Sequence, residues 1–168
     1  VRGADEIQIQ LADDRFFDAA VAGTDSLSDV AVLTVDGPDL PSVPFGSSAR
    51  LREGEMVLAV GNPFQYAHSV TYGIISATGR ERFNPQEYGA YIQTDAAINP
   101  GNSGGALVNL DGELIGLNTA IVSRSGGNEG IGLAIPVDYV RDVMEQLIEH
   151  GQVRRGRLGA YIGDITPM

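Results

Sequence analysis

Apolar and polar residues alternate from Asp5 to Leu11 (DEIQIQL), the period of a strand with one face covered. A β-branched run from Asp29 to Val35 (DVAVLTV) and an apolar run from Glu55 to Val60 (EMVLAV) predict two more strands, the second stopped by the turn signal Gly61-Asn62-Pro63. Ser69 to Thr78 (SVTYGIISAT) and Tyr91 to Gln93 read as further strands, separated by a polar excursion from Gly79 to Gly89 that contains Asn84-Pro85. Loops of that length are often functional. Ala106 to Leu110 and Glu113 to Ile121 flank Asp111-Gly112 and predict a hairpin closed by a type I′ turn, whose two central residues both need positive φ. A Gly-rich loop from Ser123 to Gly130 leads into Ile131 to Ile135. Pro136 then opens the one convincing helical pattern: Val137, Val140, Val143, Met144, Leu147 and Ile148 recur at helical spacing, and Gly151 is placed as the C-cap. Short strands punctuated by turns favour a sandwich or barrel over an α/β sheet.

Composition narrows the chemistry. The 168 residues are 43% hydrophobic with no apolar run long enough to span a bilayer, which suits one globular domain or a piece of one. Glycine, at 22 residues, is nearly twice its usual share of about 7% and is spread among the apolar runs, as in turn-rich β sequence. Twenty-two acidic against eleven basic residues give a net charge of −11, so no basic stripe is available for nucleic acid or an anionic membrane. All eleven basic residues are arginine; there is no lysine, no cysteine and no tryptophan, and histidine occurs only as His68 and His150. Cysteine nucleophiles, disulfides, thiolate metal sites, Schiff bases and P-loop phosphate binding are excluded, and no cofactor or metal is expected. Chemistry falls to Ser, Thr, Tyr, carboxylates, the two histidines or backbone groups.

The ends suggest a division of the chain. Residues 1–151 form the main unit, 152–157 with three arginines read as a linker, and Leu158 to Ile165 resembles the first strand of something that stops at Met168. Val1 begins abruptly in polar sequence, without a signal-peptide pattern.

One stretch carries a candidate site. Residues 99 to 105 read Asn-Pro-Gly-Asn-Ser-Gly-Gly, where Gly101, Gly104 and Gly105 allow steep turns around an uncrowded Ser103 hydroxyl. Glycines here also let neighbouring backbone N–H groups converge on one concavity, as an oxyanion hole requires. A serine in an isolated Ser-Gly-Gly is more often an ordinary loop residue, so the wider context decides.

The string from Tyr91 to Ile121, YIQTDAAINPGNSGGALVNLDGELIGLNTAI, resembles the nucleophile region of the HtrA (Deg) family of bacterial trypsin-like serine proteases. The resemblance extends through SLSDVAVL (Ser26 to Leu33), VLAVGNPF (Val57 to Phe64), SVTYGIISATGR (Ser69 to Arg80) and GIGLAIP, and so covers nearly the whole chain. It implies an all-β, chymotrypsin-like double β-barrel with a C-terminal helix, its N-terminal barrel incomplete here. It further implies Ser103 as nucleophile, Asp29 as triad acid, the backbone of Gly101, Asn102 and Ser103 as oxyanion hole, and Ile98, Ile121 and Val122 as lining of a pocket for small or medium aliphatic side chains. Residue type alone makes Asp29 a turn residue and the three apolar positions core.

The resemblance breaks at the base. The family's catalytic His stands just before the segment matched by VRGADEIQIQL, so Val1 is expected to fall one or two residues after it. His68, in QYAHSVTYG, suits a solvated loop, and His150 ends the helix, where a cation complements the macrodipole. This chain alone is therefore expected to be inactive. The segments Asn62 to Gly73 and Thr78 to Tyr91 match the family's activation loops, with Arg80 at a position that relays an activating signal. GRLGAYIGDITPM (156–168) resembles the start of a PDZ domain, placed at 158–168, through which an activating peptide would act. The resemblance also implies homotrimers formed through an N-terminal segment, unfolded or misfolded polypeptides as substrates, a role in stress response, and a periplasmic location with an inner-membrane tether. The competing reading is a non-catalytic polypeptide-binding or chaperone-like module on the same fold, for which an intact serine in a glycine cradle has no use.

Overall fold

The structure, a computed structural model, describes residues 3–62, 69–81, 90–121, 123 and 127–156. The elements run β1 (Gln8–Gln10), β2 (Phe16–Asp25), β3 (Val30–Val35), a 3-10 turn (Ser48–Arg50), β4 (Met56–Gly61), β5 (Ser69–Glu81), β6 (Ala90–Thr94), β7 (Ala106–Asn109), β8 (Leu114–Ile121), β9 (Gly132–Pro136) and α1 (Val137–His150). Strands β4-β5-β6-β9-β8-β7 close into a barrel of antiparallel pairs, while β1, β2 and β3 form a separate three-stranded antiparallel sheet. One closed six-stranded barrel beside a three-stranded sheet, with a C-terminal helix, fits the all-β, trypsin-like fold expected. Val30 is the one fully buried residue in β1–β3.

Two cores hold the fold. Val57, Ala59, Ile75, Ile92, Ala96, Ile98, Leu107, Ile115 and Ala134 fill the barrel. Val30, Tyr91, Leu133, Ile135, Val140, Val143 and Leu147 form a second cluster between barrel, helix and N-terminal sheet. Strand β9 serves both: Ala134 points into the barrel and its neighbours Leu133 and Ile135 toward α1, so the strand is a continuous apolar run rather than an alternating one. Helix α1 buries Val137, Val140, Val143 and Leu147, and Gly151 ends it at φ 69° with its N–H on the Leu147 carbonyl at 2.9 Å. Ile148, assigned to that face by spacing, lies outside it at 63% exposure. At the other end, the Asp138 carboxylate accepts from the Ser48 hydroxyl and the Ala49 amide, both at 2.9 Å, and pins the 3-10 turn to the first turn of α1.

Three expectations change. The Asp111-Gly112 hairpin forms, but only Gly112 has positive φ (78°). The Gly112 N–H meets the Asn109 carbonyl at 3.2 Å and the Asn109 N–H meets the Glu113 carbonyl at 3.0 Å, giving a three-residue loop with a left-handed glycine in place of a type I′ turn. The Asn109 side chain stabilises that alternative by accepting from the amides of Asp111 and Glu113. Strand β2 is ten residues that periodicity did not mark, because Ala-rich FFDAAVAGTD has low β-propensity and a register shift between Val21 and Gly23 breaks its alternation. Strand β5 begins at Ser69 as its apolar run predicts but runs three residues past Thr78 to Glu81, so residues 69–73, 78–81 and 90–91 of the two segments matched to activation loops are strand. Residues 63–68 and 82–89 of those loops, with His68, lie outside the described residues, as do 157–168 with the last linker residue and the PDZ-like start.

Candidate active site

Ser103 stands at the entrance to β7, and its surroundings explain each glycine beside it. The Asn102 N–H donates to the Asn99 carbonyl at 2.9 Å, closing a four-residue turn with Pro100 second and Gly101 third. Gly101 has φ 103°, which makes the turn type II and requires glycine there. At Gly105 the constraint is proximity: a Cβ would lie 2.1 Å from the Val60 carbonyl oxygen on β4. The Gly101 carbonyl accepts from the Asn62 amide at 3.4 Å, and the Gly104 amide donates to the Asn118 carbonyl at 2.8 Å. Among the described residues, the amides of Gly101 and Ser103 donate to no protein acceptor. Asn102 points the other way, 1% exposed, with its amide nitrogen on the Ala97 carbonyl at 3.3 Å.

Asp29 comes from the other half of the molecule. It precedes β3 at φ 60°, a left-handed conformation that Asp tolerates better than most residues. Residue Thr119 brings the two halves together. Its hydroxyl donates to Asp29 Oδ2 at 2.9 Å, and its backbone carbonyl accepts from Ser103 Oγ at 2.8 Å. Strand β8 shifts register against β9 between Asn118 and Ala120, so Thr119 is the extra residue of a bulge. Bulges beside functional sites re-aim side chains in this way. Sequence reasoning missed Thr119; β8 was predicted, but a bulge depends on the partner strand.

The turn carrying Asp29 is itself braced. Asp25 accepts from the Ser28 amide at 2.9 Å and the Ser28 hydroxyl at 2.5 Å, and binds both Arg155 guanidinium nitrogens, Nη1 at 2.8 Å and Nη2 at 2.5 Å. The Arg155 hydrogen bonds, opposed by burial and reinforced by Ser28, lower the Asp25 carboxyl from 3.8 to about 2. Because the folded value is the depressed one, the stabilisation is present above about pH 4 and lost as pH falls toward 2. Its size is about 2 kcal/mol. Asp25→Asn is expected to flatten that part of the acid-unfolding curve; an unaltered pH dependence between 4 and 2 would show that Asp25 does not carry it.

The other predicted residues are placed as follows. Ile98 lies 1% exposed in the barrel core, and Ile121 packs against the same cluster. Val122 is outside the described residues. Arg80, near the end of β5, donates its Nε to Gln93 Oε1 on β6 at 2.9 Å. His150 sits at the C-terminal end of α1 with its Nε2 3.8 Å from Glu149. No group of three or more metal-ligating side chains occurs among the described residues.

Comparison with known proteins fits this geometry. Residues 1–117 match the trypsin-like peptidase domain family. The chain belongs to that family. It is 52% identical over 160 residues to the periplasmic serine endoprotease DegP of Salmonella typhimurium, and 51% identical over 160 residues to DegP of Escherichia coli K12, covering 95% of this chain and 34% of each relative. The structure of an HtrA-type protease, AlgW with a decapeptide, superposes with a TM-score of 0.93 at 52% identity, over 99% of this chain and 51% of that one. The family assignment and the trypsin-like fold read from the motifs stand. The chain spans about a third of the length of the curated relatives it matches.

Proposed function

We propose that this chain is the protease core of an HtrA-type serine endopeptidase that cleaves unfolded or misfolded polypeptides. The observation that carries the reading is the convergence of Ser103 and Asp29 on Thr119, beside two amides that meet no protein acceptor among the described residues. Ser103 Oγ attacks the scissile carbonyl carbon as an imidazole base takes its proton. The Gly101 and Ser103 amides hold the resulting oxyanion, and Asp29 orients the imidazole and stabilises its cation. The proton then passes to the leaving amine, and water hydrolyses the acyl-enzyme. His150, at the end of α1, is not that base in this reading; the base is a histidine from outside these 168 residues. Ile98, Ile121 and Val122 set a preference for small or medium aliphatic side chains.

Location and regulation belong to the same reading. Relatives named as periplasmic proteases support a periplasmic site of action. Arg80, held on Gln93, answers an activating peptide bound by a PDZ domain that begins in 158–168. Trimer formation, in this reading, runs through an N-terminal segment of the full-length protein. Light scattering reads the oligomeric mass directly.

A fluorophosphonate probe tests the central claim. Full-length protein with activating peptide is expected to be labelled at Ser103 and Ser103→Ala protein not, with Arg80→Ala reducing peptide stimulation of casein cleavage. The 168-residue chain is expected to turn over no casein. Absence of labelling under activating conditions would favour the polypeptide-binding module, and ordinary turnover by the 168-residue chain would refute an external base.

A further inference from the structure

We propose that Arg155 is a positioning residue for Asp29: reaching back from the segment after α1, it clamps Asp25 and thereby fixes the turn that presents the acid. The inference rests on the serine-protease reading above and adds a residue, and a segment, to the apparatus of that site.

The chain of contacts is continuous. After Gly151 ends α1, the backbone folds back along the helix: the Arg154 amide donates to Gln146 Oε1 at 2.9 Å, and Val153 packs against the cluster that contains Val30 and Leu147. This return places the Arg155 guanidinium against Asp25 in a two-pronged ion pair, with 18% and 12% of the two side chains exposed. Tyr139, on α1, accepts from Arg155 Nη2 at 3.5 Å and helps orient the fork. Asp25 is the last residue of β2, and its carboxylate also holds Ser28, which is fully buried and directly precedes Asp29. Asp29 then sits at φ 60°, where its Oδ2 accepts a hydrogen bond from the Thr119 hydroxyl.

The physical reason for such a brace lies in the neighbours of Asp29. The residue is exposed, and its backbone conformation is one that a loose turn would leave. The sheet that carries it has a single fully buried residue, so packing alone does little to hold the turn. A bidentate, partly buried Arg–carboxylate pair supplies direction as well as energy, which a surface lysine would not. Orientation of the acid matters far more than its presence nearby, since a shift of about 1 Å in a catalytic group can cost about a hundredfold in rate. Because the brace lies beyond α1, seating of the segment Gly151 to Gly156 becomes a condition for an ordered acid.

The test is steady-state cleavage of a peptide by the full-length protein across pH. Arg155→Ala is expected to lower kcat by about 10- to 100-fold with KM little changed. It is also expected to move the acidic limb of kcat/KM to lower pH, because an imidazolium that loses its carboxylate gives up its proton more readily. A merely structural role would reduce the fraction of active enzyme without moving that limb. Arg155→Lys should fall between wild type and Arg155→Ala. Should Arg155→Ala not fold, Ser28→Ala decides, since it cuts the next link while leaving the ion pair; it is expected to shift the acidic limb in the same direction. Wild-type kcat and an unmoved acidic limb in the folded variant, with wild-type protein labelled by fluorophosphonate, would overturn the inference alone. Wild-type protein that takes no label overturns the serine-protease reading and the inference with it.

Discussion

Asp29→Asn in the full-length protein is expected to lower kcat by about four orders of magnitude while leaving the fold intact. The backbone argument concerns stability: at φ 60° asparagine is the substitute that tolerates the left-handed region as well as aspartate, so no strain is added. The side-chain argument concerns rate. One carboxylate oxygen of Asp29 accepts a hydrogen bond from the Thr119 hydroxyl at 2.9 Å, and the other, which meets no donor among the described residues, can accept from an imidazole Nδ1–H. An amide in its place carries no charge to stabilise the imidazolium and can present N–H where an acceptor is needed, which selects the wrong tautomer. Saturation kinetics together with thermal melting checks this. A loss of less than tenfold at unchanged melting temperature would remove Asp29 from the acid's role.

Most barrel strands were legible because they are short, apolar and punctuated, and α1 because its apolar face repeats at 3.6 residues with a glycine at its end; pattern alone left sandwich and barrel both open, and the resemblance to HtrA proteases decided for the barrel. What escaped was set by partners distant in sequence. Strand β2 gains its pairing from β1 and β3 on either side and shows little of its own preference in FFDAAVAGTD. The hairpin at Asp111-Gly112 was expected, but the turn type was decided by the Asn109 side chain, two residues before the signal. In the site, glycine spacing pointed to Ser103 and its cradle, and the likeness to known proteases pointed to Asp29. Thr119 depends on a bulge in β8 against β9, and Arg155 meets Asp25 across 130 positions of sequence, so neither leaves a local pattern. Interactions of this kind are what bring Asp29 and Ser103 to one place.

Gly101→Ala offers a test of the other half of the site. Alanine at φ 103° is strained, and the turn from Asn99 to Asn102 can relieve that strain by passing from type II to type I, in which the third residue has φ near −90°. That change rotates the Pro100–Gly101 peptide and takes the residue-101 N–H away from the position where a substrate oxyanion develops. Loss of one such donor costs about 10²- to 10³-fold in kcat, with KM little affected because the donor acts mainly in the transition state. Gly112→Ala in the distant β7–β8 hairpin separates strain from catalysis: its φ of 78° brings a comparable backbone penalty, about 1–2 kcal/mol, with open space around the new methyl group. Gly112→Ala should therefore lower the melting temperature and keep kcat, whereas Gly101→Ala should lose kcat out of proportion to any loss of stability. Equal losses of stability with unchanged kcat in both would mean that the residue-101 amide is not an oxyanion donor, and that the type II turn serves only to carry the chain into β7.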